Sequence, residues 1–288
     1  MGVKVQTVSE ISRHITGMMR ESYPHEEAGA MAAAIILEYT GLSRASQLAF
    51  GDRIPGGAAA ERILEAAARA AAGEPLQYIF GYTEFCGHRI EVGPGVLIPR
   101  PETEEMTLMI IRENSGFRGS LTDLCTGSGC IAIALALAFP GAKVTATDLS
   151  AAALETARRN ITTLGAPVTL IRSDLLGNRH SDIPESNLIV SNPPYVTLRE
   201  KDAMHRNVLE HEPGEALFVP DDNPLVYYRA IAEVAAERLL PGGTLWLEVN
   251  ESLARETAAL FTAEYYRSVT VMNDIRGKER FIKADRDD

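Results

Sequence analysis

Between Ser120 and Asp148 the chain carries the pattern that most limits its fold. Ser120-Leu121-Thr122-Asp123-Leu124 reads as a short strand, Cys125 to Cys130 as a turn with glycines at 127 and 129, and Ile131 to Phe139 as an apolar helix ended by Pro140-Gly141. A second strand, Lys143 to Thr147, delivers Asp148 at its end. A helix that is apolar all round has to be buried, and a strand-helix-strand crossover buries it against a parallel sheet. The glycines let a backbone approach a ligand closely at a helix N-terminus, and an acid about 20 residues further on suits ribose hydroxyls. The unit therefore reads as an adenosine-binding crossover.

The alternation continues to the C-terminus. Strands are expected near 120–124, 143–147, 168–172, 187–191 and 244–249, interleaved with helices, and a final pair near 268–273 and 279–284 turns at Arg276-Gly277-Lys278. This predicts an α/β fold with a doubly wound, seven-stranded, mainly parallel sheet, an antiparallel last strand, and a ligand at the strands' C-terminal ends. Asp174, after the third strand, is placed to accept from an adenine amino group, and Leu175 to pack against the base. A strand-end cap and a core leucine are the plainer alternative for this pair.

Two cofactors could use such a crossover. Gly127-Ser128-Gly129-Cys130-Ile131-Ala132 fits G-x-G-x-x-A, the dinucleotide fingerprint. Asp123-x-Cys125-x-Gly127-x-Gly129 equally fits the acid-x-Gly-x-Gly-x-Gly loop of S-adenosylmethionine (AdoMet) methyltransferases, with Cys125 in the first Gly position. In that loop Asp123 either organises the turn or meets the cofactor's ammonium.

A second motif decides between them. Asn192-Pro193-Pro194-Tyr195 follows the apolar run Leu188-Ile189-Val190, so an Asn stands at a strand end braced by two prolines and flanked by an aromatic ring. The Asn oxygen and a backbone carbonyl of the stiff Pro-Pro turn are two acceptors for one planar NH2 group. They would turn its lone pair toward an electrophile, with Tyr195 covering the planar group. Such orientation suits methyl transfer to a poorly nucleophilic nitrogen and has no role beside nicotinamide. The alternative is a loop in which Asn192 satisfies its own turn.

Four segments in order, Pro75-Leu76-Gln77-Tyr78-Ile79-x-Gly81, Leu97-Ile98-Pro99-Arg100-Pro101-Glu102-Thr103-Glu104, Asp123 to Gly129 and Asn192 to Tyr195, resemble the HemK/PrmC family, N5-glutamine methyltransferases of peptide chain release factors. Glu212-Pro213-x-x-Ala216-Leu217, Tyr228-Arg229, Pro241-Gly242-Gly243 and Asp274-x-x-Gly277-x-x-Arg280 match its later landmarks. The resemblance runs from about Gly73 to Ile282. It implies a class I AdoMet methyltransferase with AdoMet as cofactor and S-adenosyl-L-homocysteine as product. It implies catalytic roles for Asn192, Pro193 and Tyr195, and cofactor contacts from Asp123, Cys125, Thr126, Gly127, Ser128, Gly129, Asp148, Leu149, Asp174, Leu175 and Asn192. Substrate would meet Asn192 to Tyr195 (Pro194 included), with Arg100 and Glu102 at the rim. The acidic first turn of the helix after Pro101 has an alternative role, complementing the helix dipole. Where many members carry Glu-(Ile/Val)-Gly and then Gln, this chain has Glu248-Val249-Asn250-Glu251-Ser252. That departure, like Cys125, is expected to alter loop geometry and to leave the Asn192 grip untouched.

Residues 1–73 read as a small helical domain, 74–99 as a β-hairpin connector and 100–288 as the methyltransferase domain. Val8, Ile11, Ile15 and Met18/Met19 have helical spacing behind Thr7 or Ser9 as a cap. Pro24 opens a second helix that Gly41 ends, and Gly57 to Ala72 is Ala-rich up to Gly73-Glu74-Pro75. In the family this domain docks the protein substrate, while a stabilising cap is the plainer alternative. Tyr78 to Phe85 and Arg89 to Val92 read as hairpin strands about Cys86-Gly87-His88.

Composition excludes several classes. With 28 Lys and Arg against 39 Asp and Glu, the net charge of −11 opposes a broad nucleic-acid footprint. An exocyclic-amine methyltransferase of DNA or RNA would want a basic target-binding domain, and residues 1–73 hold more acids than bases. No apolar run approaches the ~18 residues of a membrane span, and Met1 to Arg20 lacks the apolar stretch of a secretory signal. Three cysteines, Cys86, Cys125 and Cys130, cannot all pair, which points to a reducing compartment and a cytoplasmic location. No metal is expected: Cys125 and Cys130 lack a partner pair, and His205, His211, Glu210 and Glu212 lack HExxH spacing. The expected protein is a monomeric enzyme with release factors as partners. A ribosomal-protein glutamine methyltransferase is the nearest rival, and a non-catalytic factor-binding protein a more distant one.

Overall fold

The structure is a computed structural model that describes residues 6–177, 180–262 and 264–288, so the first five residues of the expected 1–73 domain lie outside it. Contacts divide the chain into two units, one of residues up to Gly81 with His205–His211, the other of Tyr82–Met204 with Glu212–Asp288.

The first unit is helical. Thr7 caps α1 (Val8–Met19) in a full capping box with Glu10, each satisfying the other's backbone N–H. α2 (His25–Thr40) starts after Pro24 and stops where Gly41 turns left-handed at φ 71°. A short α3 (Arg44–Ala49), capped by Ser43, was not anticipated from the sequence. α4 (Gly57–Ala71) and α5 (Leu76–Phe80) complete the chain's first part. Val8, Ile11, Ile15 and Met19 of α1 share one core with Ile35 and Ile36 of α2 and Ile63 of α4. α5 corrects the expectation of an extended strand from Tyr78: Pro75 presets its start, and Gly81 at φ 80° ends it, so the strand begins only at Tyr82.

The second unit opens with a hairpin, β1 (Tyr82–Phe85) and β2 (His88–Glu91), then α6 (Pro101–Glu113). There follow β3 (Ser120–Leu124), α7 (Cys130–Ala138), β4 (Lys143–Asp148), α8 (Ala151–Leu164), β5 (Val168–Arg172), β6 (Ser186–Ser191) and the short β7 (Val196–Thr197). After α9 (Arg206–His211), which belongs to the first unit, come β8 (Phe218–Val219), α10 (Val226–Arg238), β9 (Leu239–Glu248), α11 (Ala254–Ala258), β10 (Tyr266–Asn273) and β11 (Glu279–Arg286). Seven strands form one sheet in the order β10-β11-β9-β6-β3-β4-β5. β3, β4, β5, β6 and β9 run parallel, and β11 is antiparallel to both neighbours. The strand order reverses between β3 and β6, where Leu121 pairs with Leu188 and Leu124 with Ser191. In such a sheet a ligand crevice lies at that reversal, beyond the strands' C-terminal ends. Cys130 to Ala136 of α7 are all buried, as the uniformly apolar helix required.

Candidate active site

The loop after β3 is shaped from beneath. Asp123 is fully buried, and its Oδ2 accepts from Thr126 Oγ1 (2.5 Å) and Ala132 N (3.2 Å), tying the turn to the first turn of α7. Its Oδ1 has no hydrogen-bond partner among the described residues. Burial pushes this carboxyl up to about 7 against the pull of those two donors. Of the two roles weighed for Asp123, the observed contacts belong to loop organisation, and it does not reach the cavity wall. Thr126 N donates to the Thr147 carbonyl at 2.9 Å, and Gly127 N to Asp148 Oδ2 at 2.9 Å, locking the loop to the end of β4.

The loop's backbone demands glycine twice. Gly129 has φ 82°, and a Cβ there would lie 3.2 Å from Ala157 Cβ and 3.3 Å from Ile133 Cδ1. Gly127 has φ 57°, but a Cβ built on it meets nothing within 4 Å, since it faces open space. Cys125 takes the same left-handed region at φ 59° with a side chain attached, a strain of about 1–3 kcal/mol that a glycine would not carry. The Cys-for-Gly departure is thus a conformational cost rather than a change of path.

Above the loop lies a cavity of about 270 Å³. Cys125, Thr126, Gly127 and Ser128 form its floor, Asp148 and Leu149 one wall, and Asp174 and Leu175 another; Arg100, Asn192 and Pro194 also line it. Asp148 is held by Gly127 N on Oδ2 and Ser150 N on Oδ1, both at 2.9 Å. Asp174 Oδ1 accepts from Leu176 N at 3.0 Å. The structure therefore brings these residues together at the strand ends, while Asp123 and Gly129 stand behind the wall.

A second cavity of about 240 Å³ adjoins it, lined by Glu102, Pro193, Tyr195 and Arg280 among others. Asn192 and Arg100 line both. Asn192 thus stands at the divide, with Pro194 on the first side and Pro193 and Tyr195 on the second.

The Asn192 side chain is not free to turn. Its Nδ2 donates to Thr103 Oγ1 (3.0 Å), Thr103 Oγ1 donates to Glu248 Oε2 (2.6 Å), and the Tyr195 hydroxyl donates to Glu248 Oε1 (2.9 Å). Glu248 is fully buried at the end of β9. Burial pushes its carboxyl above the ordinary range, while Thr103, Tyr195 and the Arg280 charge pull it back. The same burial, with the Glu248 charge beside it, pushes the Tyr195 phenol well up, so Tyr195 stays a donor.

The acidic first turn of α6 divides its labour. Glu104 Oε1 accepts from Cys86 N (2.6 Å), and Glu105 Oε2 from Ile275 N (3.1 Å), so these two clamp the turns of neighbouring hairpins. Glu102 lines the second cavity and lies 3.8 Å from Arg276. Arg100, at the N-cap position of α6, pairs with the buried Glu212 at 2.7 Å, and Glu212 also accepts from Ile98 N at 3.0 Å.

The Asn250 departure is expected to alter loop geometry and leave the Asn192 grip untouched; its Nδ2 donates to the Tyr195 carbonyl (3.2 Å) and to Glu200, and its own N–H donates to the Tyr228 hydroxyl. The Asn250 side chain spans to that carbonyl, so the departure braces the end of the motif at Tyr195 directly. Sequence reasoning also missed Thr103, Glu248 and Glu212 as site residues. Each lay inside or beside a quoted motif, but no spacing disclosed which partner it meets.

Among the described residues no group of three or more His, Cys, Asp or Glu side chains could hold a metal ion, and no helix is long and apolar enough to cross a membrane.

The sheet, with its single reversed strand beside β9, defines a class I methyltransferase fold of the kind that uses AdoMet. The family profile described as "Methyltransferase small domain" matches residues 85–215, and that described as "PrmC N-terminal domain" matches residues 10–81. A solved methyltransferase from Pyrococcus furiosus shares the fold at a TM-score of 0.50 and 22% identity, covering 78% of this chain and 96% of that one. A release factor glutamine methyltransferase of Bacteroides thetaiotaomicron is 44% identical over 280 residues, 97% of this chain and 100% of its own length. That of Flavobacterium psychrophilum is 43% identical over 215 residues, 73% of this chain and 75% of its own. The chain belongs to the release factor glutamine methyltransferase family.

Proposed function

We propose that this protein transfers the methyl group of AdoMet to the side-chain nitrogen (N5) of the glutamine in the Gly-Gly-Gln loop of peptide chain release factors. The observation that carries the reading is the place of Asn192, lining both the cavity over the glycine loop and the cavity beside Tyr195.

The first cavity suits an adenosine cofactor. It offers a loop whose Gly127 leaves open space where a side chain would sit, a carboxylate at the end of β4 for a ribose diol, and apolar Leu149, Leu175 and Ile183 for a flat base. Asp148 would hold the ribose, and Asp174 the adenine amino group. AdoMet, when bound, supplies an electrophilic methyl group on a sulfonium whose departure leaves neutral S-adenosyl-L-homocysteine.

The second cavity would take the glutamine side chain. Asn192 Oδ1 and the Pro193 carbonyl accept the two amide N–H bonds and turn the nitrogen lone pair toward the first cavity. Tyr195 packs over the amide plane, its hydroxyl held away by Glu248. Orientation and proximity supply the rate, without a strong general base, and the surplus proton leaves to solvent after transfer. Arg100 and Glu102 form the rim. The enzyme would act as a cytoplasmic monomer, with the helical unit docking the protein substrate.

The test is tritiated-methyl transfer from AdoMet to purified release factor, with a Gln→Ala change in its Gly-Gly-Gln loop as control. Label is expected on the natural factor and not on the control; label retained on the control would redirect the reading to another target. Asn192→Ala should abolish transfer while leaving AdoMet binding largely intact. A fully active variant would overturn the assigned grip.

A further inference from the structure

We propose that Thr103 and Glu248 set the orientation of the Asn192 amide and thereby make the site select a carboxamide over a carboxylate. This rests on the reading that Asn192 grips the substrate amide.

A threonine hydroxyl has one proton and two lone pairs. Glu248 offers only acceptor oxygens when ionised, and Thr103 Oγ1 stands 2.6 Å from Oε2, so the hydroxyl proton is committed to the carboxylate. Only lone pairs then remain for Asn192, 3.0 Å away, and Asn192 has to approach with its NH2 group. The amide oxygen is left for the substrate. The other carboxylate oxygen is occupied by the Tyr195 hydroxyl at 2.9 Å, which leaves Glu248 no reason to rotate. Thr103 and Glu248 are both buried, so no bulk water competes for these bonds.

The consequence is a choice between two nearly isosteric side chains. A glutamine presents two N–H donors to the Asn192 oxygen and the Pro193 carbonyl. A glutamate presents an oxygen there, and acceptor would meet acceptor. A site built around such a bond rejects the analogue that lacks the donor more strongly than an apolar pocket rejects a shape change. Were Asn192 to turn over, its NH2 would face the substrate beside the unchanged Pro193 carbonyl, and the preference would be lost. The Thr103–Glu248 pair is what forbids the turn; both act through Asn192 and are positioning residues.

Thr103→Val keeps the shape but removes the acceptor, freeing Asn192. We expect kcat to fall about 10- to 100-fold, the loss of one orienting contact, with AdoMet affinity by calorimetry within twofold of the parent. The distinguishing readout is inhibition by release factor carrying Gln→Glu in its Gly-Gly-Gln loop. This factor should inhibit Thr103→Val at least tenfold more tightly than the parent enzyme, and Thr103→Ser should restore both kcat and the parent's weak inhibition. A Thr103→Val enzyme that loses rate without gaining affinity for the glutamate form, or that keeps the parent's rate, overturns the proposal. Should Thr103→Val fail to bind AdoMet, Glu248→Gln is read instead. It can donate to Thr103 and reverse the chain of bonds, and the same gain in affinity for the glutamate form is required of it. Asn192→Ala separates the two readings: normal methylation by it refutes the grip itself, whereas an inactive Asn192→Ala beside an unchanged selectivity in Thr103→Val refutes only the orienting role.

Discussion

Asp148→Asn is the change whose outcome follows most closely from geometry. Each oxygen of the carboxylate already accepts one backbone N–H, from Gly127 on Oδ2 and from Ser150 on Oδ1, both at 2.9 Å. An asparagine has one oxygen and one NH2, so either rotamer sets donor against donor at one of the two. An unsatisfied donor costs about 1–3 kcal/mol, and here it falls on the glycine loop or on the start of α8. The free protein should therefore be less stable by that amount. Binding loses separately: a hydrogen bond to a charged group contributes about 1.5–3 kcal/mol, so the AdoMet dissociation constant should rise about 10- to 150-fold. Thermal unfolding reads the first loss and titration calorimetry with AdoMet the second. Burial pushes the Asp148 carboxyl above its ordinary value, against the pull of its backbone donors. As pH falls, affinity in the parent should consequently fade earlier than an exposed aspartate would allow. An Asp148→Asn protein that melts with the parent and binds AdoMet within threefold of it would refute the reasoning.

Asp123 and Gly129 give two more tests. The Asp123 carboxyl is pushed up to about 7 by burial, so the folded protein holds that proton more tightly than the unfolded chain does; the resulting stability is full below pH ~4 and lost as pH rises through about 7, by about 4 kcal/mol. Asp123→Asn should remove this slope from the stability-against-pH curve, and a variant curve parallel to the parent's between pH 4 and 7 would count against it. Gly129→Ala adds a Cβ at φ 82° within 3.3 Å of Ala157 and Ile133, which should cost about 1–3 kcal/mol in chemical denaturation; an unchanged midpoint would show that the loop relaxes freely.

The sheet was legible because its strands are apolar runs bounded by Gly, Pro and polar turns, and parallel strands buried on both faces leave little else to read. Asp148, Asp174 and Asn192 were legible for a related reason: each ends such a run. Leu76–Phe80 misled because four apolar and aromatic residues around Gln77 carry no decisive period, and only the flanking Pro75 and Gly81 mark a helical turn. β9 begins at Leu239 rather than near 244, since Ser186 pairs with Leu239 ahead of the Pro-Gly-Gly step. The network around Asn192 was not legible. Thr103 meets Glu248 across 145 positions and Asn192 across 89, and no local pattern encodes a contact made by three separate elements. Asn250 shows the same limit, since a departure from relatives declares itself in sequence while its hydrogen bonds do not.

The interrupted makeup of the helical unit bears on the order in which the chain can fold during synthesis. His205, whose ring stacks on Tyr23 with centroids 5.5 Å apart, belongs to that unit yet lies far beyond Gly81 in the chain. At about 5–20 residues per second, the roughly 120 intervening residues delay its arrival by roughly 6–25 s. α1, α2 and α4 can gather their shared apolar core in that interval, but the unit stays open until the ribosome has passed residue 211. The sheet waits as well, because β6 gains its second neighbour only when β9 emerges. Both units therefore close late and nearly together, and a nascent chain stalled before His205 would complete neither.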